Sequence, residues 1–212
     1  MPGSIRAGLK GRGRRLSARK LLGAPVVALA LAACGEEGTA TEASKDATPQ
    51  PPKVTGNGID RAFVTEMVPH HRSAVDMAEL AQRYGERPEI KQLSQEIIAA
   101  QNAEIEQLRG LDQRLADAGV ARRSLGMSAH EMGTHMDPAG LRRAEPFDRA
   151  FLDMMIPHHE GAIQMAQIQL ERGRNRTVKR LAGRIVDAQT SEIALMHQWR
   201  IQWFGVTGHE HH

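Results

Sequence analysis

The chain has 212 residues, with 28 Lys and Arg against 25 Asp and Glu, a formal net charge of +3. Residues 1–33 hold seven of the basic residues and none of the acidic ones, leaving 21 basic against 25 acidic in residues 34–212, a net −4. The basic excess belongs to one terminal segment, so it gives no support to a nucleic-acid partner. Cys34 is the only cysteine, which excludes an intrachain disulfide and, once it carries lipid, a thiolate metal site.

Residues 1–33 are expected to be a lipoprotein signal peptide. Arg12, Arg14, Arg15, Arg19 and Lys20 precede an apolar run from Leu21 to Ala33, which is short for a bilayer span. The run ends in Leu31-Ala32-Ala33-Cys34, which resembles the bacterial lipoprotein cleavage box with Cys34 as the lipidated residue. The alternatives are an ordinary signal peptide or an uncleaved anchor. Residues 34–58 are small, polar and Pro-rich, the composition of a flexible tether.

Residues 59–205 are expected to form one domain built on a repeat. Met67-Val-Pro-His70-His71 recurs as Met155-Ile-Pro-His158-His159, an offset of 88. At the same offset Phe63 matches Phe151, Leu93 matches Leu181, and Gln101, Glu104 and Ile105 match Gln189, Glu192 and Ile193. A gapless repeat of this length marks a duplicated structural unit. Phe63, Met67, His70, Ala74, Met77 and Ala81 alternate spacings of four and three, an apolar stripe along one helix. Ile90, Leu93, Ile97, Ala100, Glu104 and Leu108 make a second stripe, and Val178, Leu181, Ile185, Ala188, Glu192 and Met196 repeat it. Each repeat therefore reads as a helical hairpin, over about 60–111 and 148–204, and two hairpins predict an all-α four-helix bundle. Pro69 and Pro157 fall inside the first helix of each hairpin. Phe63 and Phe151 hold the stripe upstream of them, which favours helices that begin near Asp60 and Asp148 and bend at the motif.

The connector, 112–147, breaks the period. It carries Met127, His130, Met132, His135 and Met136 within ten residues, then a predicted short helix around Leu141. Methionines interleaved with histidines away from a core stripe predict a second, flexible copper site independent of the bundle. Residues 206–212 form a His-rich tail.

Counting residues places the motif. With turn centres near residues 87 and 175, His70 and Glu104 lie equally far from the first turn, as do His158 and Glu192 from the second. On antiparallel helices each pair shares a level, roughly 25 Å from its turn at about 1.5 Å per residue. In an up-down-up-down bundle the first and third helices are parallel, so one layer near one end would hold His70, His71, Glu104, His158, His159 and Glu192, with Met67 and Met155 a turn away. Imidazole and carboxylate suit divalent ions, and thioether shifts the preference toward copper, above all Cu(I). The bland alternative is that His and Glu hydrogen-bond each other and no metal enters. Met77 and Met165, on the core face, are expected to be packing.

These residues also resemble a family. The pattern Phe-x3-Met-x-Pro-His-His-x2-Ala-x2-Met-Ala, followed by Ala-Gln-x2-Glu-Ile, is similar in both copies to that of the exported bacterial DUF305 proteins. The resemblance implies a ferritin-like four-helix bundle and, as in some members, copper binding outside the cytoplasm. It carries His70, His71, His158, His159, Met67 and Met155 over as motif positions. The expected function is that of an exported, lipid-anchored copper-binding protein on the outer face of the bacterial cytoplasmic membrane or in the periplasm, with the metal ion and the membrane as partners. The rival is a ferritin-like iron or manganese oxidoreductase. Against it, these helices lack the Glu-x-x-His pairs of di-metal bundles. A structural lipoprotein without metal is the third reading.

Overall fold

A computed structural model describes residues 54–134 and 137–205. The expected signal peptide, Cys34, most of the tether, His135, Met136 and the His-rich tail lie outside the described residues.

Four long helices and one short one account for the fold: α1 (Gly58–Tyr84), α2 (Pro88–Asp117), α3 (Pro138–Arg143), α4 (Phe147–Arg172) and α5 (Arg176–Phe204). Their ends follow local chemistry. Asn57 caps α1, its side chain accepting from the Ile59 and Asp60 amides while Asp60 accepts from the Asn57 amide, a reciprocal capping box. Asn175 caps α5 through the Thr177 and Val178 amides. Pro88 opens α2, where its missing N–H costs nothing. Gly205, at φ +68, ends α5 in the left-handed conformation that glycine adopts without strain. Both α1 and α4 run unbroken through Pro69 and Pro157, beginning well upstream of them as the Phe63 and Phe151 positions predict.

α1 pairs with α2 and α4 with α5, so each repeat is a hairpin, and the hairpins meet mainly through α1 and α4. The direction of that meeting corrects the up-down-up-down expectation. Asp60, at the start of α1, accepts from Gln169 Nε2 (2.6 Å) near the end of α4 and from the Arg174 and Asn175 amides (3.0 Å each) just beyond it. Asp148, at the start of α4, accepts from the Glu86 and Arg87 amides (2.9 and 3.0 Å) just after α1. α1 and α4 are therefore antiparallel, and residues 118–146 carry the chain back along the bundle. This single long crossover is that of ferritin-like bundles.

Two apolar clusters result. Phe63, Met67, Leu108, Met165 and Leu181 belong to one, and Met77, Ile97, Phe151, Met155 and Met196 to the other. Each fully buried aliphatic or aromatic side chain contributes about 1.5–3 kcal/mol relative to exposure. The stripe on α2 also departs from the expected one. Its buried positions step 97, 101, 105, 108, so Gln101 and Ile105 face the core, Ala100 is exposed and Glu104 is half-buried. α5 shifts in the same way, burying Gln189 and exposing Ala188. Two successive steps of four carry the stripe past the positions that alternating spacing predicts.

Candidate metal centre

The histidines lie at the crossing of α1 and α4, between the two apolar clusters, and not at one end of the bundle. Antiparallel packing causes this, since only residues near the middle of each helix can then share a level. Successive residues on a helix are about 100° apart, so the two histidines of a pair face different neighbours. His70 and His158 face each other across the crossing, with ring centroids 3.9 Å apart. His71 turns toward α2, its Nε2 2.8 Å from Glu104 Oε2. His159 turns toward α5, its Nε2 2.6 Å from Glu192 Oε2. The residue counting placed the carboxylates at the right level beside the wrong histidine of each pair. Both carboxylates are also partly solvated, with side chains 17% and 21% exposed, although the stripe places them on the core face.

Hydrogen bonding sets the tautomers. His70 Nε2 lies 2.8 Å from the Met132 carbonyl, which can only accept, so Nε2 carries the proton. His158 Nε2 lies 2.6 Å from Ser73 Oγ, whose own proton goes to the His70 carbonyl at 2.8 Å, so Nε2–H donates here too. His71 and His159 donate Nε2–H to their carboxylates. All four Nδ1 atoms are then lone-pair acceptors, and all four are buried without a hydrogen-bond partner. A buried polar atom left unpaired costs about 1–3 kcal/mol, and four in one layer demand an explanation. The pattern is that of metal-binding imidazoles, whose second nitrogen donates to a carboxylate or carbonyl and so orients the ring.

Burial also keeps this layer uncharged. It lowers the His70 pKa from 6.5 to about 3, with His71 and His159 acting in the same direction and the Met132 hydrogen bond opposing. His158 is pushed well below 6.5 by burial first, then by His70, His159 and His71. A neutral imidazole is the form that binds a metal.

Among the described residues no three His, Cys, Asp or Glu side chains are set to hold one ion together. Carboxylates engaged by imidazole protons do not make an oxygen cage. The remaining donors are thioethers: Met67 and Met155, one turn before each pair, are fully buried in the clusters flanking the layer. Imidazole nitrogen with thioether sulfur suits copper, and Cu(I) in particular. Met77 and Met165 are buried in the clusters as packing.

The described part of the Met/His connector is docked on the bundle, which corrects its expected independence. Met127 and Met132 are half-buried against the first cluster, and His130 is exposed. Ser128 and Glu131 close a turn, with Glu131 accepting from the Ser128 amide (2.7 Å) and hydroxyl (2.8 Å). Gly133, at φ +66, lies against Pro157 and His158, where a Cβ would fall 2.5 Å from the Pro157 oxygen. A Cβ on Gly161 would collide with the Met132 backbone.

Comparison with known proteins gives the family and the fold. Residues 34–112 and 60–200 match DUF305, a domain of unknown function. The chain belongs to the DUF305 family. CopM in its Cu(I)-bound form is 34% identical with a TM-score of 0.60, covering 69% of this chain and 98% of CopM. The Cu(II)-bound form of CopM gives 34% identity, a TM-score of 0.61, and 68% and 97% coverage. A candidate secreted DUF305 protein of Streptomyces coelicolor is 27% identical with a TM-score of 0.63, covering 73% of this chain and 98% of its own. No curated protein matches the chain.

Ser73 and Gly161 belong to the site region without having been expected there, and Gln101 and Gln189 are buried polar groups equally unexpected in the core. Gln101 and Gln189 are 3% exposed, and their Oε1 atoms are buried and unpaired. Their signal was the repeat itself, since both stand in the Ala-Gln-x2-Glu-Ile element. Ser73 and Gly161 occupy equivalent repeat positions. The difference between them marks where the two halves of the layer diverge.

Proposed function

We propose that this protein is an exported, lipid-anchored copper-binding protein that holds the ion in the histidine layer at the α1–α4 crossing. The observation that carries the reading is the set of four buried Nδ1 lone pairs without partners. His70 and His158, in ring contact across the helices, are the central nitrogen donors, and Met67 and Met155 are the thioether candidates. His71 and His159 are the outer nitrogens. Glu104 and Glu192 orient those rings and offset the charge of a bound cation. Met127, His130, Met132, His135 and Met136 remain candidates for a weaker site or for the approach of the ion. Likeness to CopM, described in Cu(I)-, Cu(II)- and Ag-bound forms, supports the choice of metal.

The test is thermal melting with and without Cu(I), alongside chelator competition. An ion bound only by the folded state stabilises it by about 2.7 kcal/mol at a hundredfold excess over the dissociation constant. The wild-type melting temperature should rise with copper, and the His70→Ala/His158→Ala double variant should stay helical and lose the rise. A wild-type curve indifferent to copper would leave the layer as a hydrogen-bonded structural device and end the metal reading.

A further inference from the structure

The bundle has a basic face that plays no part in the histidine layer. A cleft of about 480 Å³ is lined by Val54, Thr55, Leu111, Leu115, Asn175 and Thr177 together with Arg114, Arg174, Arg176 and Arg180. A second cleft, of about 290 Å³, shares Arg174 and adds Arg123. All five arginines are exposed. Among the described residues none of them forms an ion pair, and neither cleft is lined by a carboxylate. Asp60 lies beneath, buried, its oxygens occupied by the Asn57, Arg174 and Asn175 amides and Gln169 Nε2. The amides at the start of α5 are no part of this attraction, because the Asn175 side chain already holds those of Thr177 and Val178. The positive charge of this face is carried by its guanidinium groups.

Such a face is out of keeping with residues 34–212 as a whole, which carry a net −4. Guanidinium groups bind phosphate oxygens well; among the described residues none of these five is held in an ion pair, and Arg180 donates only to the Thr177 hydroxyl, at 3.1 Å. Location narrows the partner. Val54 and Thr55, the first described residues, line the cleft, so the segment carrying Cys34 joins the bundle at this face. We infer that the arginine face formed by Arg114, Arg123, Arg174, Arg176 and Arg180 seats the bundle on the anionic phosphate headgroups of a lipid bilayer. Basic residues at an anionic surface each raise binding about fivefold, and the effect is screened by salt. The inference rests on the exported, lipid-anchored reading of the chain, but not on copper.

The test is co-sedimentation of the full-length, unlipidated chain with vesicles of phosphatidylcholine alone or with 30% phosphatidylglycerol, at low and high salt. Arg174→Glu/Arg176→Glu/Arg180→Glu is compared with Arg72→Glu/Arg83→Glu/Lys91→Glu, which changes net charge equally elsewhere. Residues 1–33 are common to every protein in the comparison, so their own membrane affinity cancels. The expected result is binding that needs phosphatidylglycerol and falls with salt, reduced at least tenfold by the first triple variant and much less by the second. Equal losses in both variants would reduce the effect to net charge and overturn the inference. Displacement of the protein from vesicles by inorganic phosphate at matched ionic strength would make the cleft a free-phosphate site and overturn it as well. Cys34→Ala in cells tests the anchor separately, and copper melting curves test the metal site.

Discussion

Gly161 stands where the first repeat has Ser73, and the structure assigns a reason for each. Ser73 supplies the acceptor for His158 Nε2 from its own helix. Gly161 leaves room for the Met132 carbonyl to do the same for His70. Gly161→Ala should push the Met132 backbone away. It would cost about 1–3 kcal/mol for the buried His70 N–H left unpaired and about 1–3 for the overpacked contact. About 1 kcal/mol is returned by the better helix propensity of alanine, so the net loss should be about 1–5 kcal/mol. Gly161→Ser meets the same steric conflict but brings a hydroxyl to the position from which Ser73 serves His158. It should recover about 1–2 kcal/mol of the alanine loss. Urea denaturation of the three proteins measures both differences, and limited proteolysis of residues 128–134 reports whether the loop has left the bundle. If alanine and serine are equally destabilising, the hydroxyl does not replace the carbonyl. If alanine is neutral, the loop does not close the layer at all.

Acid should unfold the protein through its central histidines. A histidine whose folded pKa is depressed contributes stability that is complete above the unfolded value of 6.5 and lost as pH falls toward the folded value of about 3. For His70 the loss at pH 5 is about 2 kcal/mol, His158 acts in the same direction, and urea midpoints at pH 5 and 8 would show whether the dependence is present. Asp60→Ala strips the acceptor from buried N–H donors at the α4–α5 turn and should cost at least about 3 kcal/mol, read as a fall of roughly 6–12 °C in melting temperature; an unchanged Tm would show that water replaces the carboxylate. Cys34→Ala should move the protein from the membrane to the soluble fraction in cell fractionation, whereas retention would identify the apolar run 21–33 as an anchor.

The hairpins, the core stripe of α1 and the level of the carboxylates were all legible, because an internal repeat and a helical period are local properties. The direction of α4 was not read from them, although a signal existed. Antiparallel neighbours in a simple up-down bundle need only about 2–8 connecting residues. The connector between α2 and α4 is long enough to traverse a 27-residue helix, about 40 Å. Its length was the evidence for the crossover. The partner of each carboxylate was missed for a different reason. Counting residues gives height along a helix, whereas the 100° step from His70 to His71 decides which neighbour is faced. Ser73 and Gly161 escaped notice because the repeat drew attention to identities, and their role lies in being different.

The central position of the layer changes what binding an ion there would do. At an end of the bundle, a metal would tie down only the last turn of each helix. At the crossing, the donors come in equal numbers from α1 and α4, the helices through which the two hairpins chiefly meet. On the proposed function the ion therefore joins the hairpins where apolar packing is interrupted, between the two apolar clusters. The unpaired Nδ1 atoms make that interruption costly in the absence of metal, and the cost is removed when they gain a ligand. Affinity and stability are then linked through one set of atoms. The two halves are nonetheless unlike. A serine on α1 holds His158, while the carbonyl of Met132, in the connector, holds His70. On the proposed function, the duplicated unit is a site whose two halves are held differently, one from a helix and one from a loop.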